Sequence, residues 1–461
     1  MGGGLLQLVA YGAQDAYLSG NPQITFWKGL FKRHTNFAME PFRINLTGQV
    51  GWGVKHSAII GRHADLLYST YLEVIMPVGT FNNDQGRLGY NLLKYVELDI
   101  GGQAVDRLYG EWLYLWDSLT NDITTSKKLW NIVGGGPTTA SATQSYSDSV
   151  YVAATPSGTV TVPALGTKAT TVAFSDTSAC ISGTGNSGHA SLPNVLYVPL
   201  NFFYTRNPGC ALPLIALQYH EVKINIQWND AKFVAGDYTA ASALKAPSAA
   251  VYIDYIYLDT EERRRMAQNS HEYLIEQVQF NEDKGISSYN NRIDLTFNHP
   301  VKELVWVVQP TSYTNCANSR NFNPSGPFRL QPFTYDQDVV YEQWLQINGQ
   351  DRLDRRYGDY FNSVQTFQHH SGYGSTVQTP SSLPIHQAGI YCYSFALRPE
   401  EHQPSGTCNF SRIDTATIVL NMAGNAAISP DLDATWDVRV YAVNYNILRV
   451  MSGMGGLAYS N

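Results

Sequence analysis

The chain is short of charge. Asp, Glu, Lys and Arg make up 15% of its 461 residues, and 31 basic against 38 acidic side chains leave a net charge of −7. With no strongly basic block to neutralise a run of phosphates, direct nucleic-acid binding is not expected. Cysteine is scarce too. Cys180, Cys210, Cys316, Cys392 and Cys408 are odd in number and widely spaced, with no C-x-x-C pair. This excludes the disulfide framework of small secreted domains and leaves reduced thiols as the plain reading. No window approaches the roughly 18 apolar residues of a membrane-spanning helix. The start, "MGGGLLQLVAYGAQDAY", lacks the basic segment of a secretory signal, and Leu6 stands where a myristoylation site wants Ser or Thr. Phosphate loops of the GxxxxGK form, GxSxG elbows and His-x-His pairs are missing as well. No cofactor, no metal and no catalytic activity are expected.

What the chain does have is aromatic surface. Aromatics are 12% of the residues, with 30 tyrosines, a composition that suits half-buried strands better than solvated helices. The length favours two domains. Runs such as "HADLLYSTYLEVIMPV" (63–78), "HEVKINIQW" (220–228), "VKELVWVVQP" (301–310) and "WDVRVYAVNYNILRV" (436–450) carry strand patterning between turn residues. Two helices are expected. In "TEERRRMAQNS" (260–270), Asp259 or Thr260 can cap and Glu261 and Glu262 favour the positive end. In "YGEWLYLWDSLT" (109–120), Trp112, Leu115, Trp116 and Leu119 share a face.

The chain also repeats itself. "DIGGQAVDRLYGEW" (99–112) lies over "QINGQDRLDRRYGDY" (346–360) with one residue inserted. Other landmarks keep order: "RINL" (43–46) matches "RIDL" (292–295), "YLEVIMP" (71–77) matches "LVWVVQP" (304–310), and "VYIDYIYL" matches "VRVYAVNYNIL". One spacing differs by 60 residues, since Tyr109 to Tyr257 is 148 and Tyr357 to Tyr445 is 88. Residues 134–190, dominated by Gly, Ala, Ser and Thr, account for it as an insertion. Within it, "SVYVAA" and "GTVTVPA" read as a small hairpin. Two tandem β domains of this kind suggest paired sandwiches or jelly rolls.

The stretches "LVAYGAQDAYLSGNPQITFWKGLFKRHTNFAMEPF" (8–42), "DIGGQAVDRLYGEWL" (99–113), "DTEERRRMAQNSHEYLIEQVQ" (259–279), "FNHPVKELVWVV" (297–308) and "YNILRVMSGMGGLAYSN" (445–461) resemble the major capsid protein of the nucleocytoplasmic large DNA viruses, nearest the algal-virus branch. The resemblance implies an all-β chain of two tandem eight-stranded antiparallel jelly rolls with few short helices. It implies a homotrimer that imitates a hexagon and tiles an icosahedral shell beside neighbouring capsomers, penton and minor capsid proteins, with an internal membrane nearby. The protein would be made in the host cytoplasm and reside in the virion. Residues 1–25 would form an N-terminal arm, 26–259 the first roll carrying the insertion, 260–270 a linking helix, 271–450 the second roll and 451–461 a tail.

In the repeated joint, Asp106 can cap the turn, Arg107 can fork onto a carboxylate, Tyr109 and Trp112 can anchor in apolar surface, and Gly110 permits unusual backbone. Asp354, Arg355, Tyr357, Gly358 and Tyr360 would repeat these roles. The rival reading, catalysis by Asp106 with Glu111 or Asp354 with Asp359, needs a cleft and a pair separation of about 5–10 Å. A second rival is a carbohydrate-binding double sandwich using the aromatic loops 311–340 and 367–380. Asn45 and Asn409 stand in sequons, and Arg263, Arg264 and Arg265 form a basic run whose plain role is a solvated helix face paired with Glu261 and Glu262.

Overall fold

A computed structural model describes residues 2–77, 88–133, 159–162, 170–173, 195–234, 245–311, 340–372, 376–377, 385–386, 389–422 and 435–459. Contacts divide the chain into two compact units, Met1–Phe37 and Ala38–Asn461. The first unit contains two short helices, Gly3–Val9 and Asp15–Ser19. The run "ITFW" (24–27), which follows the turn residues "SGNPQ" and reads from its letters as an opening strand, forms none. Ile24, Phe26 and Trp27 are 63, 89 and 94% exposed and pair with no strand, so apolar content alone does not make one. The first strand begins at Phe37.

The second unit is built from sixteen principal strands. The first eight are β1 (Phe37–Asn45), β2 (Lys55–Ile59), β3 (Leu66–Ile75), β4 (Leu93–Ile100), β5 (Gln103–Tyr109), β6 (Val195–Pro199), β7 (Val222–Trp228) and β8 (Ser248–Leu258). They form two sheets ordered β1-β8-β3-β6 and β2-β7-β4-β5. The next eight are β9 (His271–Ile286), β10 (Asn290–Asp294), β11 (Pro300–Pro310), β12 (Val340–Ile347), β13 in two pieces (Gln350–Asp351 and Arg356–Tyr357), β14 (Ile390–Ser394), β15 (Ala416–Met422) and β16 (Trp436–Met451). Their sheets are ordered β9-β16-β11-β14 and β10-β15-β12-β13. Adding eight to every strand of the first pair of sheets gives the second pair, so the chain is two consecutive eight-stranded jelly rolls.

Alternation places the cores. In β3, Leu72 and Val74 are fully buried between the sheets, whereas Tyr71 and Ile75 on the other face are 38 and 41% exposed. β11 and β16 behave differently because both of their faces are covered. Leu304, Trp306, Val440 and Ala442 fill the second roll, while Val305, Val307, Tyr441 and Val443 join the first roll's apolar cluster. This is why "VWVV" and "VRVYAV" read as nearly unbroken apolar runs.

The topology revises one landmark. Ile44 lies in β1, but Ile293 lies in β10, whose counterpart is β2. Ile224 of β7 pairs with Ala58 and Leu98, and Ile418 of β15 pairs with Ile293 and Leu345. Ala58 therefore matches Ile293, and the likeness of "RINL" to "RIDL" reflects only that I-x-L suits any half-buried strand. The connection between β5 and β6 is longer than its counterpart between β13 and β14. Tyr109 to Val195 spans 86 residues (195 − 109) and Tyr357 to Ile390 spans 33 (390 − 357). Within it, Thr159–Val162 pairs with Thr170–Ala173 downstream, and "SVYVAA" lies outside the described residues.

Two helices leave the first roll's strands. Helix α1, Gly110–Thr120, continues directly from β5. Helix α2, Thr260–Gln268, follows β8 with Glu261 and Glu262 in its first turn, and Asp259 occupies the N-cap without a side-chain cap bond.

Candidate assembly site: a strand-to-helix joint written twice

Both copies of the joint start from the same tight turn. Gly101 and Gly102 (φ 63° and 88°) close the β4–β5 hairpin, and Asn348 and Gly349 (φ 50° and 75°) close the β12–β13 hairpin. Left-handed backbone at both central residues is the two-residue turn whose twist matches the strands, and it demands Gly or Asn. The register is shared as well: Tyr95 faces Tyr109 and Val96 faces Leu108, as Glu342 faces Tyr357 and Gln343 faces Arg356. The inserted residue is absorbed between the two pieces of β13. Each copy then turns into a helix, α1 in the first and a wide turn (Tyr360–Val364) leading into helix α3 (Gln365–His369) in the second. Gly110 is required by crowding, not by unusual φ as expected. A Cβ there would lie 2.2 Å from the Leu93 carbonyl oxygen and 2.3 Å from that of Tyr90.

The first copy is buried between the rolls except at Arg107, whose side chain is 46% exposed. Asp106 caps no turn. Its Oδ1 accepts from the Arg107 amide (2.9 Å) and from the Val278 amide of β9 in the second roll (3.2 Å), and Gln277 donates to the Val105 carbonyl beside it. Burial pushes the Asp106 carboxyl up to about 7 against the pull of those donors. Arg107 donates twice, from Nε (3.0 Å) and Nη2 (2.6 Å), to one oxygen of Glu97. Burial raises the Glu97 carboxyl, but the Arg107 guanidinium and Lys55 outweigh it and hold it below its ordinary value. Tyr109 packs on Phe280 (4.7 Å between rings), and Trp112 packs on Tyr441 (5.4 Å).

Helix α1 is fastened at both ends to the second roll. At its N-terminus Glu111 takes the Nε of Arg439 at 2.8 and 3.0 Å and the Tyr441 hydroxyl at 3.1 Å, all buried. Burial opposes the charge on Arg439, and Glu111 more than restores it. At its C-terminus the orphan carbonyls of Leu119 and Thr120 accept from the Gly372 amide (2.7 Å) and the Ser371 hydroxyl (2.8 Å), which follow the second copy's helix. The two joints therefore touch, one capping the other.

That cap is held by a buried imidazole. His370 lies 3.2 Å from Glu303 and 3.2 Å from Glu400, and Glu400 also accepts from the Ser371 amide and hydroxyl. Burial works against the His370 cation, but Cys392 and the two carboxylates raise its pKa well above the ordinary range. Nearby, Glu276 of β9 offers one oxygen to Arg206 of the first roll and the other to Lys302 of β11, both at 2.8 Å. Arg206 and Lys302 also stand over the Trp116 ring at 4.5 and 5.9 Å. The repeat points to none of Arg439, Glu276, Lys302 or His370, because each lies opposite the joint in space and outside its words. The signal that Arg439, Glu276 and Lys302 leave in the sequence is charge inside otherwise apolar strand runs, whereas His370 follows a helix and shows only as the second letter of a His-His pair.

The second copy faces outward. Asp354 and Arg355 are exposed, with the Arg355 guanidinium 4.7 Å above the Trp344 ring. Tyr357 is 61% exposed and meets Tyr341 edge to face. Gly358 is buried, and Tyr360 is half-buried under Arg356.

A family model described as the large eukaryotic DNA virus major capsid protein matches residues 262–456, and one described as the major capsid protein N-terminus matches residues 25–259. The chain belongs to this major capsid protein family. It is 44% identical to the major capsid protein of Pyramimonas orientalis virus and 39% identical to that of Phaeocystis pouchetii virus, each match covering 100% of both chains. Its fold matches the crystal structure of PBCV-1 VP54 fitted into a reconstruction of the virophage Sputnik. That match has a TM-score of 0.70 and 31% identity, over 95% of this chain and 100% of that one.

The remaining features of this capsid protein are spread out. Asn45 is exposed on β1, and Asn409 is exposed in a turn where its Oδ1 accepts from the Ser411 amide at 3.0 Å. On α2, Arg264 pairs with Glu261 at 3.1 Å, as a solvated face would, but Arg263 reaches the buried Asp65 at 2.9 Å and so ties the helix to the first roll. Among the described residues no cluster of His, Cys, Asp and Glu is placed to hold a metal, and no helix is long and apolar enough to cross a membrane. Residues 312–339, on which a sugar-binding reading leaned, lie outside the described residues.

Proposed function

We propose that this major capsid protein assembles as a homotrimer whose six similar rolls form a pseudo-hexagonal building block of an icosahedral shell. The observation that carries the reading is the repeated strand order, in which one chain supplies two rolls with the same joint. Three such chains around an axis present six similar flanks, and hexagonal outlines tile a flat facet. In this reading residues 26–259 and 271–450 are the two tiles, 260–270 links them, the arm 1–25 reaches neighbours, and the tail 451–461 folds back through Met454–Leu457 onto β16 of its own chain. Lateral partners are neighbouring capsomers, penton and minor capsid proteins, with an internal membrane close by. The protein is made in the host cytoplasm and encloses the genome without gripping it. Its role is structural and needs no catalysis. Asn45 and Asn409 are candidate glycan sites, checked by intact mass of virion-derived protein.

Light scattering on the purified chain tests this reading. A trimer has a mass of about 154 kDa (3 × 51.2 kDa). A stable monomer of 51.2 kDa at micromolar concentration would overturn the proposal.

A further inference from the structure

The two ends of helix α1 are fastened to the second roll by different chemistry. At the N-terminal end the cation is the Arg439 guanidinium, which donates to Glu111 at 2.8 and 3.0 Å and keeps its charge throughout the working pH range of a protein. At the C-terminal end the cation is an imidazole, the side chain whose charge changes nearest neutrality. The side chains of His370 and Glu303 are fully buried with Nε2 3.2 Å from the carboxylate, and Glu400 stands 3.2 Å from Nδ1 with 24% of its side chain exposed. A carboxylate buried as Glu303 is needs a facing cation.

The other groups around the ring do not replace that cation. Lys302 and Arg206 also pull on Glu303, but both already serve Glu276 at 2.8 Å. Strand β14 presents the Cys392 thiol, which meets the Thr366 hydroxyl of α3 at 3.6 Å. His369 turns to the Leu397 carbonyl at 3.2 Å, and α1 presents the carbonyls of Leu119 and Thr120.

Glu400 links the ring to the seam. It accepts from the Ser371 amide at 2.8 Å, and the single hydrogen of the Ser371 hydroxyl lies between Glu400 Oε2 (2.6 Å) and the Thr120 carbonyl (2.8 Å). An imidazolium beside Glu400 weakens its claim on that hydrogen and leaves the hydroxyl for α1. A neutral ring reverses this: Glu400 draws the hydroxyl away from Thr120, and two like charges face each other across an uncharged ring.

We propose that His370 is a proton-operated latch on the seam between the rolls. With its proton it holds Glu303 and Glu400 together and keeps Ser371 and Gly372 on the last carbonyls of α1; without it that end of α1 comes free while the Arg439–Glu111 end stays fastened. Cys392 and the two carboxylates hold the imidazole well above its ordinary value of 6.5 against the effect of burial. The latch is therefore shut at neutral pH and opens as pH rises through the elevated value. It acts within one chain and goes beyond the trimeric reading, so a monomer by light scattering would overturn that reading and leave the latch standing.

Hydrogen–deuterium exchange of the full chain, read by mass spectrometry, tests it. In His370→Gln at neutral pH, residues 117–121 and 370–372 are expected to lose protection by about tenfold or more, while 105–111 and 436–443 exchange as in the wild type. Unchanged protection at 370–372 would overturn the proposal, and so would an equal loss in all four segments, which is unfolding of the seam as a whole. The wild-type chain supplies the same test without a substitution. Titrated from neutral pH upward and corrected for intrinsic exchange, it should open first at 117–121 and 370–372, and simultaneous loss across β9, β11 and β16 would contradict the latch.

Discussion

Tyr109 and Tyr357 hold the same place in the same hairpin, opposite residues 95 and 342, after the same left-handed turn. Tyr109 packs between Phe280 and Tyr441 of the other roll, while Tyr357 is 61% exposed with Tyr341 against its ring edge. The shared words encode backbone: a turn, a register and a glycine under two carbonyls. Burial is decided by what lies opposite, and within one chain only the first copy has a second roll to meet. One motif thus does two jobs, fastening the rolls together in the first copy and presenting an open face in the second.

The comparison breaks most visibly at the acidic residue after the glycine. Glu111→Ala leaves the Arg439 guanidinium buried without its carboxylate, and is expected to destabilise the fold by about 3–5 kcal/mol. Its counterpart Asp359→Ala, on an exposed residue, should shift stability by less than about 1 kcal/mol. Urea unfolding of the two variants measures both, and equal effects would show that the joints are not differently buried. The glycines should behave alike. Gly110→Ala forces a methyl against the Leu93 and Tyr90 carbonyls and is expected to cost about 1–3 kcal/mol. Gly358→Ala should destabilise in the same direction if the shared register carries the same crowding.

Protonation separates the copies more finely. The Asp106 carboxyl is raised from 3.8 to about 7 by burial, so the folded state holds a proton that the unfolded state has lost. Its contribution to stability is full below about pH 4 and declines as pH rises to about 7, where it levels off. Asp106→Asn should flatten that slope in unfolding measured at several pH values. His370, raised by Cys392, Glu303 and Glu400, adds stability that is full below its ordinary value and fades as pH climbs through its elevated one. His370→Gln should remove this second decline. The smallest expected effect lies on the linking helix. Arg263→Ala, which strands Asp65, should lower the melting temperature measurably, and Arg265→Ala should change stability by no more than about 0.5 kcal/mol.

Much of the fold is legible in the letters. "IGGQ" and "INGQ" specify one turn type, the Tyr-Gly step marks a strand running into a helix, and the 134–190 stretch shows where the rolls differ in length. The family resemblance and the fold follow from long ordered runs of this kind. Which copy is covered cannot be read that way. Asp106 and Asp354 are the same letter in the same context, yet one meets the Val278 amide and the other meets solvent, and that difference is set by residues some 170 positions away. "ITFW" fails as a strand because pairing, not apolar content, makes one. "RINL" matches the wrong strand because alternation repeats more often than descent does.

The first joint is closed by the second roll of its own chain, and the second joint faces outward. A cryo-electron microscopy map of the assembled protein at side-chain resolution tests it most directly. Three chains around one axis, with Tyr109 and Trp112 buried against the second roll of their own chain, are the predicted result. An assembly of another symmetry, or one in which Tyr109 and Trp112 stand in solvent, would contradict it.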